Sequence, residues 1–132
     1  MTSEAKEAKL MKMHMIVLVD DEPEVLSALR RSLAREPYLV LTTARPREAL
    51  RWVEALDVSA VVCDERMPEM TGTELLGRIS DRSPETARIL LTAFAGEAAR
   101  RPHAIECMIE KPWDDSMLKR ALREFLPEPV EG

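Results

Sequence analysis

A chain of 132 residues with 45% apolar and 33% charged residues has the size and composition of one globular domain, too short for two and too apolar to stay disordered. Its net charge of −5 speaks against direct nucleic-acid binding, because a phosphate-binding surface needs a basic excess. No apolar run approaches the roughly 18 to 20 residues of a membrane span, and the N-terminal MTSEAKEAKLMKMHM has no apolar core of a signal peptide, so a cytoplasmic location is expected.

Residues 1–13 read as a tail. Met15 to Val19 is a short β-branched strand that ends in Asp20-Asp21. Pro23 suits a first helical turn, and Val25, Leu26, Leu29 and Leu33 recur at helical spacing, which predicts a helix over 23–35. Tyr38 to Thr43 is a second strand. Pro46 opens a helix with Ala49, Leu50 and Val53 on one face. Ala60 to Asp64 is a third strand, followed by a charged, proline-bearing loop and Gly72, and Leu75, Leu76 and Ile79 mark a helix ending near Ser80. Arg88 to Thr92 is a fourth strand. Residues 95–101 suit a helix that Pro102 must end. Ile105 to Ile109 is a fifth strand, and Leu118, Ala121, Leu122 and Phe125 mark a last helix. Residues 127–132 read as a second tail or the start of a linker.

Short apolar strands alternating with amphipathic helices imply a parallel α/β sheet covered on both faces. Ligands of such sheets bind at the carboxyl ends of the strands. Those ends carry Asp20 and Asp21, then Asp64, then Thr92, then Glu110 and Lys111. Any one of them alone would pass for a solvated strand end, and Asp20-Asp21 for a helix cap; together they converge on one edge. Three carboxylates in one pocket raise each other's pKa unless a cation is present. Hard oxygen ligands with room for water suit Mg²⁺. A carboxylate beside such an ion can act as a nucleophile toward phosphorus. Lys111 supplies a point charge and Thr92 a hydroxyl for a phosphoryl oxygen.

The segments VLVDDE, VVCDERMPEMTG, LLTAF and EKPW resemble the signature blocks of the receiver domain of two-component response regulators, over about Met15 to Leu126. The resemblance implies a flavodoxin-like, doubly wound five-stranded parallel sheet in the order 2-1-3-4-5, filling a domain over 14–126. It implies a phosphorylation-dependent switch with Asp64 as phospho-acceptor from a histidine kinase or phosphotransfer protein. Mg²⁺ would be held by Asp21 and Asp64 directly, by Asp20 mainly through water, and by the backbone carbonyl of Arg66. Thr92 would be the switch hydroxyl, Lys111 would pair with the phosphoryl group, and the Lys111-Pro112 peptide would be cis. A downstream protein target and possible homodimerisation are implied, and no enzymatic activity beyond self-phosphorylation and self-dephosphorylation. An alternative is an interaction module that keeps the fold without phosphorylation. A haloacid-dehalogenase-type phosphatase would place an acid two residues after its nucleophile, where this chain has Arg66.

The chain departs from that pattern in places. Met108 stands where the family usually carries an aromatic that swings inward. The stretch from Thr92 to Lys111 is short and contains Pro102, so the fourth helix should be shortened or displaced. Arg66 and Phe94 flank the expected path of attacking water and should slow phosphate loss. His14 and His103 are expected at the surface, Trp113 in packing, and Gly72 where a side chain would crowd the turn. Cys63 and Cys107, on strands separated by one, would lie roughly 9 to 10 Å apart by strand spacing, beyond disulfide reach.

Overall fold

The computed structural model describes residues 13–93 and 104–126. The expected fourth helix at 95–101 with Pro102, Phe94, His103 and both tails lie outside the described residues. The strands are β1 (His14–Val19), β2 (Tyr38–Thr43), β3 (Ala60–Asp64), β4 (Ala87–Thr92) and β5 (Cys107–Glu110). The helices among the described residues are α1 (Pro23–Ser32), α2 (Pro46–Ala55), α3 (Gly72–Arg82) and α4 (Asp115–Phe125). The strands form one sheet, β2-β1-β3-β4-β5, and every pairing is parallel, the fold expected from the sequence.

Side chains alternate across the pleat, so each central strand feeds two cores. Met15, Val17, Val19, Val61, Cys63 and Leu90 face one side, where they meet Leu50 and Val53 of α2 and Leu75, Leu76 and Ile79 of α3. Ile16, Leu18, Val62, Ile89, Leu91 and Ile109 face the other, against Leu29 of α1, Leu33 just beyond it, and Leu118 and Leu122 of α4. Each fully buried Leu or Ile contributes about 1.5–3 kcal/mol, and a sheet covered on both faces leaves only its strand ends open for chemistry.

Strands β1 and β4 begin one residue earlier than read, at His14 and Ala87, and three further elements differ from the sequence reading for local reasons. Helix α1 stops at Ser32 rather than 35: the Leu33 N–H reaches both the Leu29 and Arg30 carbonyls at 3.2 Å, a tightened last turn ahead of Pro37. Helix α3 runs to Arg82 rather than Ser80, because Ser83 N–H still reaches the Ile79 carbonyl at 2.7 Å. Strand β5 is Cys107–Glu110 rather than 105–109. Ile105 is buried in the core but lies before the ladder, which runs on to pair Thr92 with Glu110.

Neither Cys63 nor Cys107 is in a disulfide, as expected, and they face opposite cores: Cys63 packs with Leu90, Cys107 with Ile89 and Ile109. His14 corrects the surface reading. It opens β1 half-buried, its Nδ1 2.8 Å from Ser59 Oγ, and burial lowers its pKa against the opposing charge of Asp57. It lies at the sheet end opposite the acids.

Candidate functional site

Register converts four strand ends into one site. Val19 pairs with Cys63, so Asp20 and Asp64 emerge level with each other. Asp64 pairs with Leu91 and Thr92 with Glu110, so Thr92 and Lys111 each follow one step further along. The Lys111 N–H donates to the Thr92 carbonyl at 2.9 Å, which ties the two polar residues together through the backbone. The Lys111-Pro112 peptide is cis, as expected.

Asp20 is 0% exposed. Its Oδ1 accepts the Glu22 N–H at 2.9 Å, closing the turn into α1, whose first residue is Pro23 and whose N-cap Glu22 makes no side-chain cap bond. Asp20 thus serves the helix start that the sequence suggested while its Oδ2 turns to the pocket. Lys111 Nζ lies 3.2 Å from Asp20 Oδ2 and 3.0 Å from Asp64 Oδ1. Asp21 is exposed at the rim, and one oxygen from each of Asp20, Asp21 and Asp64 lies within 4.8 Å of the others. Together with Glu22, Val25 and Ala93, five of the expected residues (Asp21, Asp64, Arg66, the buried Thr92 and Lys111) line a cavity of about 470 Å³.

Electrostatics follow from burial. Burial raises the Asp20 carboxyl above its ordinary value, and the Glu22 N–H and Lys111 only partly oppose that. Burial alone would depress Lys111, but its hydrogen bond to Asp64 and the charge of Asp20 outweigh it, and its pKa is raised. Lys111 is thus held charged beside an acid, Asp20, whose charge burial still disfavours. A small divalent ion with oxygen ligands and retained water fits this donor set.

The structure gathers Asp20, Asp21, Asp64, Arg66, Thr92 and Lys111 at one edge. Met108 lies half-buried against the core on the α2 and α3 side. Gly72 meets its expectation: a Cβ there would fall inside contact distance of the Asp64 carbonyl oxygen and within 2.7 Å of Leu90 Cδ1. Trp113 packs under α1 and α4, and its Nε1–H donates to Ser32 Oγ at 3.1 Å.

Sequence reasoning passed over Glu65, which follows Asp64 directly. Its Oε1 accepts the Thr73 N–H at 2.8 Å and its Oε2 the Thr73 hydroxyl at 2.7 Å. An acid set eight residues before a threonine in the first turn of a helix is the only sequence trace of that contact.

Comparison with known proteins agrees with this geometry. The family profile described as the response regulator receiver domain matches residues 16–123. The hydrogenase transcriptional regulatory protein HoxA of Cupriavidus necator is 34% identical over 113 residues, 83% of this chain but 23% of that protein. An uncharacterised 14.6 kDa protein of Leptolyngbya boryana is 32% identical over 118 residues, 88% of this chain and 79% of that one. The chain thus spans about a quarter of some curated relatives and most of another. Among solved structures, the signal receiver domain of an HD-domain protein from Pseudomonas fluorescens Pf-5 superposes with a TM-score of 0.79 at 32% identity, over 87% of this chain and 88% of that one. The response regulator TrrA of Thermotoga maritima, solved in complex with Mg²⁺-BeF, gives 0.79 at 29% identity over 86% of this chain and all of that one.

Proposed function

We propose a phosphorylation switch centred on Asp64, because this chain belongs to the family of response regulator receiver domains, a phosphorylation-based signalling family. The observation that carries the assignment to these residues is Lys111 Nζ set between two carboxylates, 3.2 Å from Asp20 and 3.0 Å from Asp64, at the edge of an open acidic cavity. An Asp64 carboxylate oxygen attacks the phosphorus of a phosphohistidine on a kinase or phosphotransfer protein. The O–P bond forms as the P–N bond breaks, and the freed imidazole takes a proton from water.

The residues that would hold Mg²⁺ are Asp21 and Asp64, with the Arg66 backbone carbonyl and, mainly through water, Asp20. When bound, the ion neutralises charge on the transferring phosphoryl oxygens. Lys111 then leaves its ion pair for a phosphoryl oxygen, and the Thr92 hydroxyl donates to another. Thr92 is 4% exposed on the strand that carries it, so the change at Asp64 is passed to the neighbouring surface through a backbone step rather than a mobile loop. Met108, a flexible thioether in place of a rigid ring, makes that coupling a graded repacking rather than a two-position flip. Arg66 and Phe94, two positions after Asp64 and Thr92 in the chain, are assigned the role of slowing hydrolysis. We take 14–126 as the folded domain, acting in the cytoplasm on a protein target; a second copy of the chain is a possible partner, and the domain either stands alone or forms the receiver portion of a longer regulator.

Intact-mass measurement after incubation with Mg²⁺ and acetyl phosphate tests this. A single phosphoryl adduct, absent in Asp64→Ala and without Mg²⁺, is expected. No adduct in protein shown to bind Mg²⁺ would favour an interaction module that keeps the fold without the chemistry. Replacing Arg66 and Phe94 together by serine is expected to shorten the adduct's lifetime; an unchanged decay sinks their assigned role.

A further inference from the structure

Glu65 follows Asp64 directly in the chain, yet its carboxylate does not join the acidic trio. Among the described residues the oxygens within mutual ligand reach come from Asp20, Asp21 and Asp64. Glu65 instead turns to the start of α3. The first N–H of that helix, Gly72, donates to the Glu65 backbone carbonyl at 3.0 Å. The second, Thr73, donates to Glu65 Oε1 at 2.8 Å, with the Thr73 hydroxyl on Oε2 at 2.7 Å. The third, Glu74, donates to the Thr71 hydroxyl at 3.1 Å. Three of the four N–H groups that a helix start leaves unpaired are therefore met from within the loop, two of them by Glu65.

These bonds close residues 65–73 into a ring. Gly72 lies so near the Asp64 carbonyl that no Cβ fits between them, which brings the two ends of the ring into contact. Met67 and Met70 anchor its middle in the core at 9% and 4% exposure. Of the exposed residues in the ring, Arg66 lines the acidic cavity.

Resting on the function proposed above, we infer that Glu65 is a positioning residue for the metal site. Its carboxylate locks the loop onto α3, and so fixes the Arg66 carbonyl and the Asp64 backbone for the ion. Its own charge is matched by the positive end of the helix instead of being added to the carboxylate trio. Groups that orient ligands in this way commonly carry 10- to 100-fold in metal affinity.

Calorimetric Mg²⁺ titration of the full chain tests it, read beside thermal midpoint and adduct rate at saturating Mg²⁺. Glu65→Leu is expected to weaken Mg²⁺ binding about tenfold while the rate at saturating Mg²⁺ falls less than threefold. Glu65→Gln keeps both contacts, because the Thr73 hydroxyl can accept from the amide, and is expected to bind Mg²⁺ within about twofold of wild type. Equal affinity in Glu65→Leu and wild type, or Glu65→Gln as weak as Glu65→Leu, overturns the inference. Should Glu65→Leu fail to fold by circular dichroism, Thr73→Ala decides in its place: a roughly threefold loss supports the lock, and no loss overturns it. Wild-type protein that takes no adduct on Asp64 refutes the phosphorylation reading instead, a separate result from these affinities.

Discussion

Strand β4 carries a buried polar residue near each end, and the two ends are built on opposite terms. Near its start Arg88, 8% exposed, donates to the Ala104, Pro84 and Thr86 carbonyls at 2.6, 2.9 and 2.7 Å and pairs with Glu106 at 3.3 Å. The cation is enclosed by acceptors, including one carboxylate. At the other end Thr92 borders a cavity beside which Asp20 and Asp64 share Lys111 while Asp21 stands exposed at the rim. No buried side-chain polar atom among the described residues lacks a hydrogen-bond partner, so the acidic end is short of positive charge rather than of hydrogen bonds. A closed charge network fastens the 104–106 segment to β4; an open one leaves the carboxylates facing a cavity, as the proposed switch requires.

Substitutions at the two ends should therefore separate stability from binding. The largest effect is expected for Arg88→Met, which removes the donor to three carbonyls and the Arg88–Glu106 ion pair: a loss of about 3 kcal/mol in urea unfolding with Mg²⁺ affinity unchanged in the folded fraction. A parallel loss of Mg²⁺ binding would erase the distinction between the ends. Gly72→Ala forces the new methyl against the Asp64 carbonyl and should cost about 2 kcal/mol and, on the proposed function, weaken Mg²⁺ binding as well, since the displaced backbone carries Asp64. If calorimetry shows only the stability loss, the site tolerates more movement than the close approach implies.

Lys111→Met removes the cation that competes with a metal ion. Mg²⁺ should bind roughly tenfold more tightly, although adduct formation slows; weaker binding would mean that Lys111 organises the site more than it neutralises it. The smallest expected effect concerns Asp20. Burial raises its carboxyl above the ordinary 3.8, so in metal-free protein its ionisation opposes folding. That cost is absent below the ordinary value, grows as pH rises through it, and levels off above the raised folded value. Asp20→Asn should thus raise the metal-free melting midpoint by about 3 °C at pH 7, with the gain vanishing toward pH 3. In saturating Mg²⁺ the order should reverse, because only the carboxylate draws stabilisation from the ion. A metal-free Asn variant that melts lower at pH 7 would place the Asp20–Lys111 pair above the burial cost.

The acidic edge was legible before any coordinates because each of its residues ends a strand, and strand ends are marked by an apolar run stopping at a charge, as at Val19-Asp20 and Cys63-Asp64. Glu65 was not legible: next to Asp64 in a charged loop it looks solvated, and its partner Thr73 is eight residues away with no periodic pattern joining them. Arg88 read as the polar first residue of a strand, since nothing local announces that the 104–106 segment will wrap it. His14 was misplaced for the same reason, its partner Ser59 being 45 positions along the chain. The extent of α1 was overdrawn because Leu33 keeps the helical spacing and is buried, although the backbone has already turned.

The sequence by itself determined the alternation of strands and helices, the two-faced burial and the acids, hydroxyl and lysine of the edge, because hydrophobic period and chain order are local properties. Only the tertiary structure decided which charges are closed and which are left open. Register sets Asp20 level with Asp64, the fold of the loop gives Glu65 to α3 rather than to the cavity, and the packing of 104–106 on β4 encloses Arg88. Each outcome depends on distances between residues far apart in the chain, and charge interactions are decided by distance and burial.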